Sequence, residues 1–275
     1  MKTKFKHPLY KYLRKDAMPH IWCKGCGNGI ILNCFVRALK ESKVDMDNLV
    51  VISGIGCAGR LSGYINADSL HATHGRAIAF ATGVKLANPE LKVVVISGDG
   101  DLFAIGGNHF IHAARRNVEM LVICSNNFNY GMTGGQFGPT TPLKVKTATT
   151  PYGNVEPPFN LVHLAAASGA VYVARWTTYH VKQLVRSIKK GLRKKGFSFI
   201  EVLSPCPEIF GRYSSIGTGI KIMEWFKNAS KISKNLDPFK ARIEWDRIDV
   251  GEFIDSEKPS YRDLLRSLYS KKLKN

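Results

Sequence analysis

The strongest constraint on this chain is a set of short apolar runs, most of which stop at a glycine, asparagine or proline turn. Residues 92–97 read Lys-Val-Val-Val-Ile-Ser and lead directly into Gly98-Asp99-Gly100-Asp101. Residues 119–125, Glu-Met-Leu-Val-Ile-Cys-Ser, run into Asn126-Asn127. Residues 48–53 end at Gly54-Ile55-Gly56, residues 170–174 lead into a helical stretch, and residues 197–203 end at Ser204-Pro205-Cys206-Pro207. A continuous apolar run of this length is what a parallel strand covered on both faces requires. Between the runs, residues 27–40, 75–86, 106–116 and 179–194 carry apolar side chains at helical spacing. Strands alternating with helices predict an α/β fold built on a doubly wound parallel sheet. Beyond residue 211 the pattern weakens to an amphipathic helix at 218–228, lysine-rich chain and a last helix at 261–271. The expected organisation is a basic N-terminal arm (1–20), an α/β domain (21–210) and a C-terminal extension (211–275) lying along the core or a partner.

With 275 residues, 44% of them hydrophobic, the chain can bury a large core without disulfides. No apolar run approaches the roughly 18–20 residues of a membrane span, and the basic N-terminus lacks the apolar segment of a signal peptide. The expectation is a cytoplasmic protein with no membrane role. A formal net charge of +19 calls for an anionic partner, and much of it lies in the first sixteen residues, in 189–195 and in the last third of the chain. No zinc-finger, RNP or basic-zipper signature accompanies it, so nucleic acid is not the expected partner.

In open α/β sheets ligands bind at the carboxyl ends of the strands, so the turns after the apolar runs carry the function. Asp99 and Asn127 are 28 positions apart, the length of one turn, one helix and one strand. That spacing puts both side chains at one edge of neighbouring strands. A carboxylate, an amide oxygen and a nearby carbonyl are hard ligands suited to Mg2+, which keeps positions for phosphate oxygens. Gly98 and Gly100 allow close backbone approach, and Gly106-Gly107 open a helix whose N-terminus suits a diphosphate. A Gly-Asp-Gly followed by Asn-Asn at this distance resembles the pyrophosphate domain of thiamine-diphosphate enzymes. The resemblance implies thiamine diphosphate held through Mg2+ by Asp99, Asn127 and the Asn129 carbonyl, with Asp101 bracing the loop. Thiamine enzymes that act as complete chains carry a second α/β domain, whose glutamate activates the cofactor's aminopyrimidine ring. This chain has no room for one, so another polypeptide is expected to complete the reaction centre.

Six cysteines occupy positions 23, 26, 34, 57, 124 and 206. Cys23-x-x-Cys26 precedes the first helix, Cys57 follows the first strand and Cys206 the last. Four thiolates from such loops suit a 4Fe-4S cluster. They also suit structural zinc, as in a non-redox thiamine enzyme, and Cys23 and Cys26 alone suit a redox pair. Cys34 and Cys124, on an apolar helix face and inside a strand, read as buried small hydrophobes.

Taken together, WCKGCG, GIGCAGR, HATHGRAIAFATGVKLANP, SGDGDLFAIGGNHFIHAARRN, NNFNYGMTGGQFGPTTP and SPCPEIFGR resemble the β subunit of 2-oxoacid:ferredoxin oxidoreductases over about residues 20–212. The resemblance implies one thiamine diphosphate and one 4Fe-4S cluster, the latter on Cys23, Cys26, Cys57 and Cys206. It implies an α subunit, and oxidative decarboxylation of a 2-oxo acid with coenzyme A to acyl-CoA, carbon dioxide and two electrons for ferredoxin. Arg60 falls where the family places a cation for the substrate carboxylate, a role its guanidinium fork suits. His74 falls where a histidine faces the cofactor, among Cys57, Ala58, Gly98, Gly100, Asp101, Gly131, Met132 and Thr133; His71, Asn108 and His109 are further candidates. Met223-Glu224-Trp225-Phe226 and Gly251-Glu252-Phe253 resemble the branch acting on 2-oxoglutarate, against pyruvate and other 2-oxo acids. Ala58 and Gly138 depart from the family, where serine is usual. A basic face would steer an acidic ferredoxin.

Overall fold

The computed structural model describes residues 7–234 and 236–272, so the first six residues of the expected arm and the last three of the extension lie outside the described residues. The apolar runs become strands and the periodic segments become helices. In chain order these are α1 (Asn28–Glu41), β1 (Leu49–Ser53), β2 (Asp68–His71), α2 (Ala77–Ala87), β3 (Lys92–Gly98), α3 (Gly107–Arg115), β4 (Met120–Asn126) and α4 (Leu161–Ala167). They continue as β5 (Tyr172–Thr177), α5 (Val181–Arg193), β6 (Phe197–Leu203), α6 (Gly219–Ala229), β7 (Ser230–Ile232), β8 (Ile248–Asp255) and α7 (Tyr261–Lys272). The strands form one sheet in the order β2-β1-β3-β4-β6-β5-β8-β7, parallel except where β8 runs against β5.

Successive side chains of a strand point to opposite faces, and both faces here are apolar and covered. Val94, Ile96, Leu121, Ile123, Ile200 and Val202 pack on one side against Ile31 and Phe35 of α1 and Leu184 and Ile188 of α5. Val93, Val95, Val122, Phe197 and Phe199 pack on the other against Ala77 and Ala81 of α2, Phe110 of α3 and Leu161 of α4. At about 1.5–3 kcal/mol for each fully buried large aliphatic or Phe side chain, the two layers hold the carboxyl ends of β1, β3 and β4 in a rigid row. Cys34 and Cys124 are fully buried, as small hydrophobes are.

Four elements lack a sequence signal. β2 is a largely exposed edge strand with one apolar residue, Leu70. α4 and β7 are short, and β8 is interrupted by Gly251 within a polar stretch. Helical chain also begins earlier than expected before α3: a wide helical turn, Gly100–Ile105, starts directly after Asp99. At the N-terminus Leu9 and Tyr12 are buried, and the Arg14 guanidinium donates to the carbonyls of Ile65 and Ala67 at 3.0 Å each. Among the described residues no helix is long and apolar enough to cross a membrane.

Candidate active site

The carboxyl ends of β1, β3 and β4 surround a cavity of about 260 Å3. The turn after β1 contributes Ile55, Gly56, Cys57 and Ala58; the turn after β3 contributes Gly98, Asp99, Gly100 and Asp101. The loop after β4 contributes Asn127, Asn129, Tyr130, Gly131, Met132 and Thr133, and His74 enters from the loop before α2. Cys57, Ala58, His74, Gly98, Asp99, Gly100, Asp101, Asn127, Asn129, Gly131, Met132 and Thr133, all expected around the cofactor, thus line one cavity. Ile55, Gly56 and Tyr130 are additions that no motif singled out. Gly100 is required by close approach, since a β-carbon there would lie 2.4 Å from the Tyr130 ring.

Asp101 ties the cavity wall together. Its carboxylate, almost wholly buried, accepts from the N–H groups of Ile55 (3.0 Å) and Gly75 (2.7 Å), from the Ser97 hydroxyl (2.9 Å) and from His74 Nδ1 (2.7 Å). The ends of β1 and β3 and the His74 loop are therefore fastened to one side chain. The Nδ1 bond fixes the ring of His74 with its other nitrogen free of Asp101. A β-carbon on Gly54 would sit 2.0 Å from this carboxylate, which explains glycine at the end of β1.

Asp99 has a different environment. It is 1% exposed, and burial pushes its carboxyl up to about 6 even though the Thr140 hydroxyl and the N–H groups of Asp99, Asn127 and Gly100 pull the other way. The end of the Asn127 amide lies 2.7 Å from the Asn129 carbonyl oxygen and 3.2 Å from Asp99 Oδ1, with its oxygen turned toward both; turned over, its NH2 would donate to them. With the amide oxygen inward, where the Asn129 N–H also reaches it at 3.4 Å, three oxygens would surround a cation; with the NH2 inward the amide would satisfy the two other oxygens in a cation's place. The Asn129 side-chain amide is also buried with neither polar atom paired. A buried carboxylate, a converging amide and carbonyl, and an orphaned amide beside a cavity fit a hard divalent ion and a polar ligand.

Three cysteine loops meet at the edge of this cavity. The Trp22 indole donates to the Cys57 carbonyl at 2.7 Å, the Gly27 N–H donates to the Pro205 carbonyl at 3.0 Å, and the Cys23–Cys26 turn closes through the Cys26 N–H at 3.1 Å. Burial pushes the Cys26 thiol up to about 12, and the nearby sulfurs of Cys206, Cys57 and Cys23 push the same way. Burial is also the largest cause raising Cys57 and Cys206; Cys206 and Cys23 add to it at Cys57, while at Cys206 the N–H groups of Phe210 and Ile209 oppose it and Cys23 and Asp99 add to it. A β-carbon on Gly131, in the cavity wall, would lie 3.4 Å from Cys206 Sγ. Among the described residues no group of three or more His, Cys, Asp or Glu converges on a single-ion site; the thiolates of an iron-sulfur cubane each bind a different iron and need not share one centre.

The remaining candidates lie elsewhere. Arg60 is solvent-exposed on a short 3-10 segment, Ala58–Tyr64, and does not line the cavity. His71 Nδ1 sits 3.1 Å from the Gly59 carbonyl and from Ser53 Oγ. Gly106, Gly107, Asn108 and His109 are outside the lining, because the helical turn that reaches it begins at Gly100. Thr140, which bonds Asp99 from a long loop, lies in the motif QFGPTTP but carried no signal of its own.

A parallel α/β domain that gathers these oxygens at its strand ends is a thiamine-diphosphate-binding domain, and residues 54–202 match the family described as "Thiamine pyrophosphate enzyme, C-terminal TPP binding domain". The chain is 52% identical over 266 residues to the 2-oxoglutarate synthase subunit KorB of Methanocaldococcus jannaschii, covering 96% of this chain and 98% of that protein. It is 41% identical over 268 residues to a 2-oxoacid:ferredoxin oxidoreductase subunit beta from Sulfolobus sp., covering 90% and 85%. A solved 2-oxoglutarate:ferredoxin oxidoreductase from Magnetococcus marinus, with 2-oxoglutarate, coenzyme A and succinyl-CoA bound, superposes with a TM-score of 0.86 at 31% identity over 98% of this chain and 92% of that one. The chain belongs to the β subunits of the 2-oxoacid:ferredoxin oxidoreductases.

Proposed function

We propose that this chain is the cofactor-bearing β subunit of a 2-oxoglutarate:ferredoxin oxidoreductase, which converts 2-oxoglutarate and coenzyme A to succinyl-CoA and carbon dioxide and delivers two electrons to ferredoxin. The convergence of Asp99, Asn127 and Asn129 on a cavity lined by Cys57, at whose edge the other cysteine loops meet, is the observation that carries it. The names of the relatives at about half identity support the choice of 2-oxo acid.

Asp99 Oδ1, the Asn127 amide oxygen and the Asn129 carbonyl are the ligands we assign to Mg2+. Thiamine diphosphate, when bound, supplies the nucleophilic carbon and electron sink for decarboxylation. The chain's own residues position and enclose it. Asp101 holds His74 with one ring nitrogen available to the cavity; Cys57, Ala58, Gly98, Gly100, Gly131, Met132 and Thr133 form the walls. Cys23, Cys26, Cys57 and Cys206 are assigned to a 4Fe-4S cluster, whose binding would hold all four as thiolates against the burial that favours the protonated thiol at Cys26, Cys57 and Cys206. Gly131 places the cavity wall against Cys206, so the path out of the cavity toward the cluster is short. Exposed Arg60 is assigned to the substrate carboxylate at the face completed by the α subunit. Residues 211–275 are assigned as an extension of the domain, a reading supported by the pairing of β8 with β5.

The test is anaerobic co-expression with an α subunit, followed by viologen reduction with 2-oxoglutarate, pyruvate and branched 2-oxo acids, each with and without coenzyme A. Reduction that requires coenzyme A and prefers 2-oxoglutarate is expected. A preference for pyruvate would overturn the substrate; zinc in place of iron in an anaerobic preparation would overturn the redox reading.

A further inference from the structure

Two opposite charges lie in the middle of the sheet. Arg175 on β5 and Glu201 on β6 are register partners, both are 0% exposed, and Arg175 Nε donates to Glu201 Oε2 at 2.7 Å. A dry ion pair gains little net stability over apolar residues of similar volume, because desolvation offsets the attraction. Its hydrogen bonds lead toward the cavity. The other oxygen of Glu201 accepts from Asn126 Nδ2 at 2.8 Å. Asn126 Oδ1 accepts from the Phe128 N–H at 3.1 Å and lies 3.0 Å from the Thr140 hydroxyl, whose single proton it shares with Asp99 Oδ2, the nearer acceptor. The far end of the chain is fixed as firmly: Arg175 donates to Asn160 Oδ1 at 2.6 Å and to the carbonyls of Arg242 (3.3 Å) and Asp249 (3.4 Å) in the C-terminal extension.

We propose that Glu201 and Arg175 are positioning residues for the magnesium site, acting through Asn126 on both sides of it; this rests on the cofactor reading above. An ionised carboxylate only accepts, so Glu201 dictates which way round the Asn126 amide sits. With NH2 toward Glu201, the amide oxygen must face the Phe128 N–H and Thr140. The first bond closes the turn after β4, in which Phe128 takes a φ of +65°, a left-handed conformation that a side chain bears at a cost. That turn aims the Asn127 amide and the Asn129 carbonyl. The second contact is weaker, because the Thr140 proton is shared with Asp99 Oδ2, and it helps to place that hydroxyl beside Asp99. Reversing the amide would set its oxygen against a carboxylate and its NH2 against an N–H, so the ligand geometry is keyed to a charge several bonds away.

Glu201→Gln tests this with little change of shape. If the Gln oxygen stays on Arg175, its NH2 opposes the NH2 of Asn126. The double variant Glu201→Gln/Asn126→Asp restores a donor facing an acceptor and keeps the net charge. The readout is the Mg2+ dependence of thiamine diphosphate binding to the assembled complex, followed by calorimetry, alongside a thermal melt. Loss of a partner bonded directly to a metal ligand weakens metal affinity about 10–100-fold; Glu201 acts through Asn126 and lies further out, so a shift in half-saturating Mg2+ at the lower end, about 10-fold, is expected for Glu201→Gln, with most of it recovered in the double variant. A folded Glu201→Gln protein with unchanged half-saturation, even with a lower melting temperature, overturns the inference. So does a weakened single variant that the double variant fails to rescue. If Glu201→Gln does not fold, Arg175→Lys is read by the same criterion, several-fold weaker against unchanged. Wild-type complex that binds thiamine diphosphate without Mg2+ dependence overturns the cofactor reading itself, an outcome distinct from any difference among variants.

Discussion

Replacing Asp99 by Asn should stabilise the metal-free protein while removing the function we assign to it. Burial raises the Asp99 carboxyl from 3.8 to about 6. At about 1.36 kcal/mol per pKa unit, the ionised side chain therefore costs roughly 3 kcal/mol of folding free energy at neutral pH. Asparagine is neutral and keeps an oxygen for Thr140, so it removes the buried charge with little change of shape. For a chain of this size 1 kcal/mol moves the midpoint by about 2–4 °C, so the variant in EDTA at pH 7 should melt roughly 6–12 °C higher. The pH dependence fixes the cause. Below pH 3.8 both folded and unfolded carboxyls are protonated and the two proteins should coincide; the wild type then loses stability as pH rises to about 6, and the gap is constant above. Magnesium and thiamine diphosphate act in the opposite direction. Ligand at about 100 times its Kd adds about 2.7 kcal/mol to the wild type and at 1,000 times about 4.1, enough to close and then invert the gap, while the variant gains little. Melts of the purified protein by tryptophan fluorescence at several pH values, with EDTA and with both ligands, give all of these quantities. A variant less stable than wild type in EDTA at pH 7, or a gap that does not change between pH 4 and 7, would refute the reasoning.

Other perturbations separate the parts of the site. Gly100→Ala drives a β-carbon into the Tyr130 ring, and overpacking of about 1–3 kcal/mol should appear in a melt together with weaker thiamine diphosphate binding; unchanged binding would mean that Tyr130 moves aside freely. Cys57→Ser should abolish the electron paramagnetic resonance of a reduced cluster in anaerobically prepared complex while leaving magnesium-dependent cofactor binding, and an undiminished signal would remove Cys57 from the ligand set. Arg60→Ala should raise the KM for the 2-oxo acid with cofactor affinity unchanged, because the side chain lies outside the cavity; an unaltered KM excludes it from the substrate. Ferredoxin reduction should slow as the Debye length shrinks from about 10 Å at 0.1 M salt to about 3 Å at 1 M, and a flat rate would exclude steering by the basic surface.

The sequence exposes what is local and hides what depends on neighbours. Asp99 and Asn127 were legible because each ends an uninterrupted apolar run, and two-sided burial makes such a run a parallel strand whatever the rest of the chain does. Cys23, Cys26, Cys57 and Cys206 were legible as loop cysteines, but choosing among cluster, zinc and redox pair needed the family resemblance. β8 escaped because its alternation is broken at Gly251, yet it covers the far side of β5 and so contributes to burying Arg175. Glu201 lies inside an apolar run and Arg175 directly follows one, and neither was singled out in the sequence. Their pairing was not legible either, since it follows from β5 lying beside β6, with the two strands in reverse of chain order, and from a register no local pattern sets. Thr140 depends on a loop that folds back across the sheet end to reach Asp99. Arg60 marks the other limit. A guanidinium on the surface of one chain has its chemistry defined by what docks there, so a single subunit states its cofactor more plainly than its substrate.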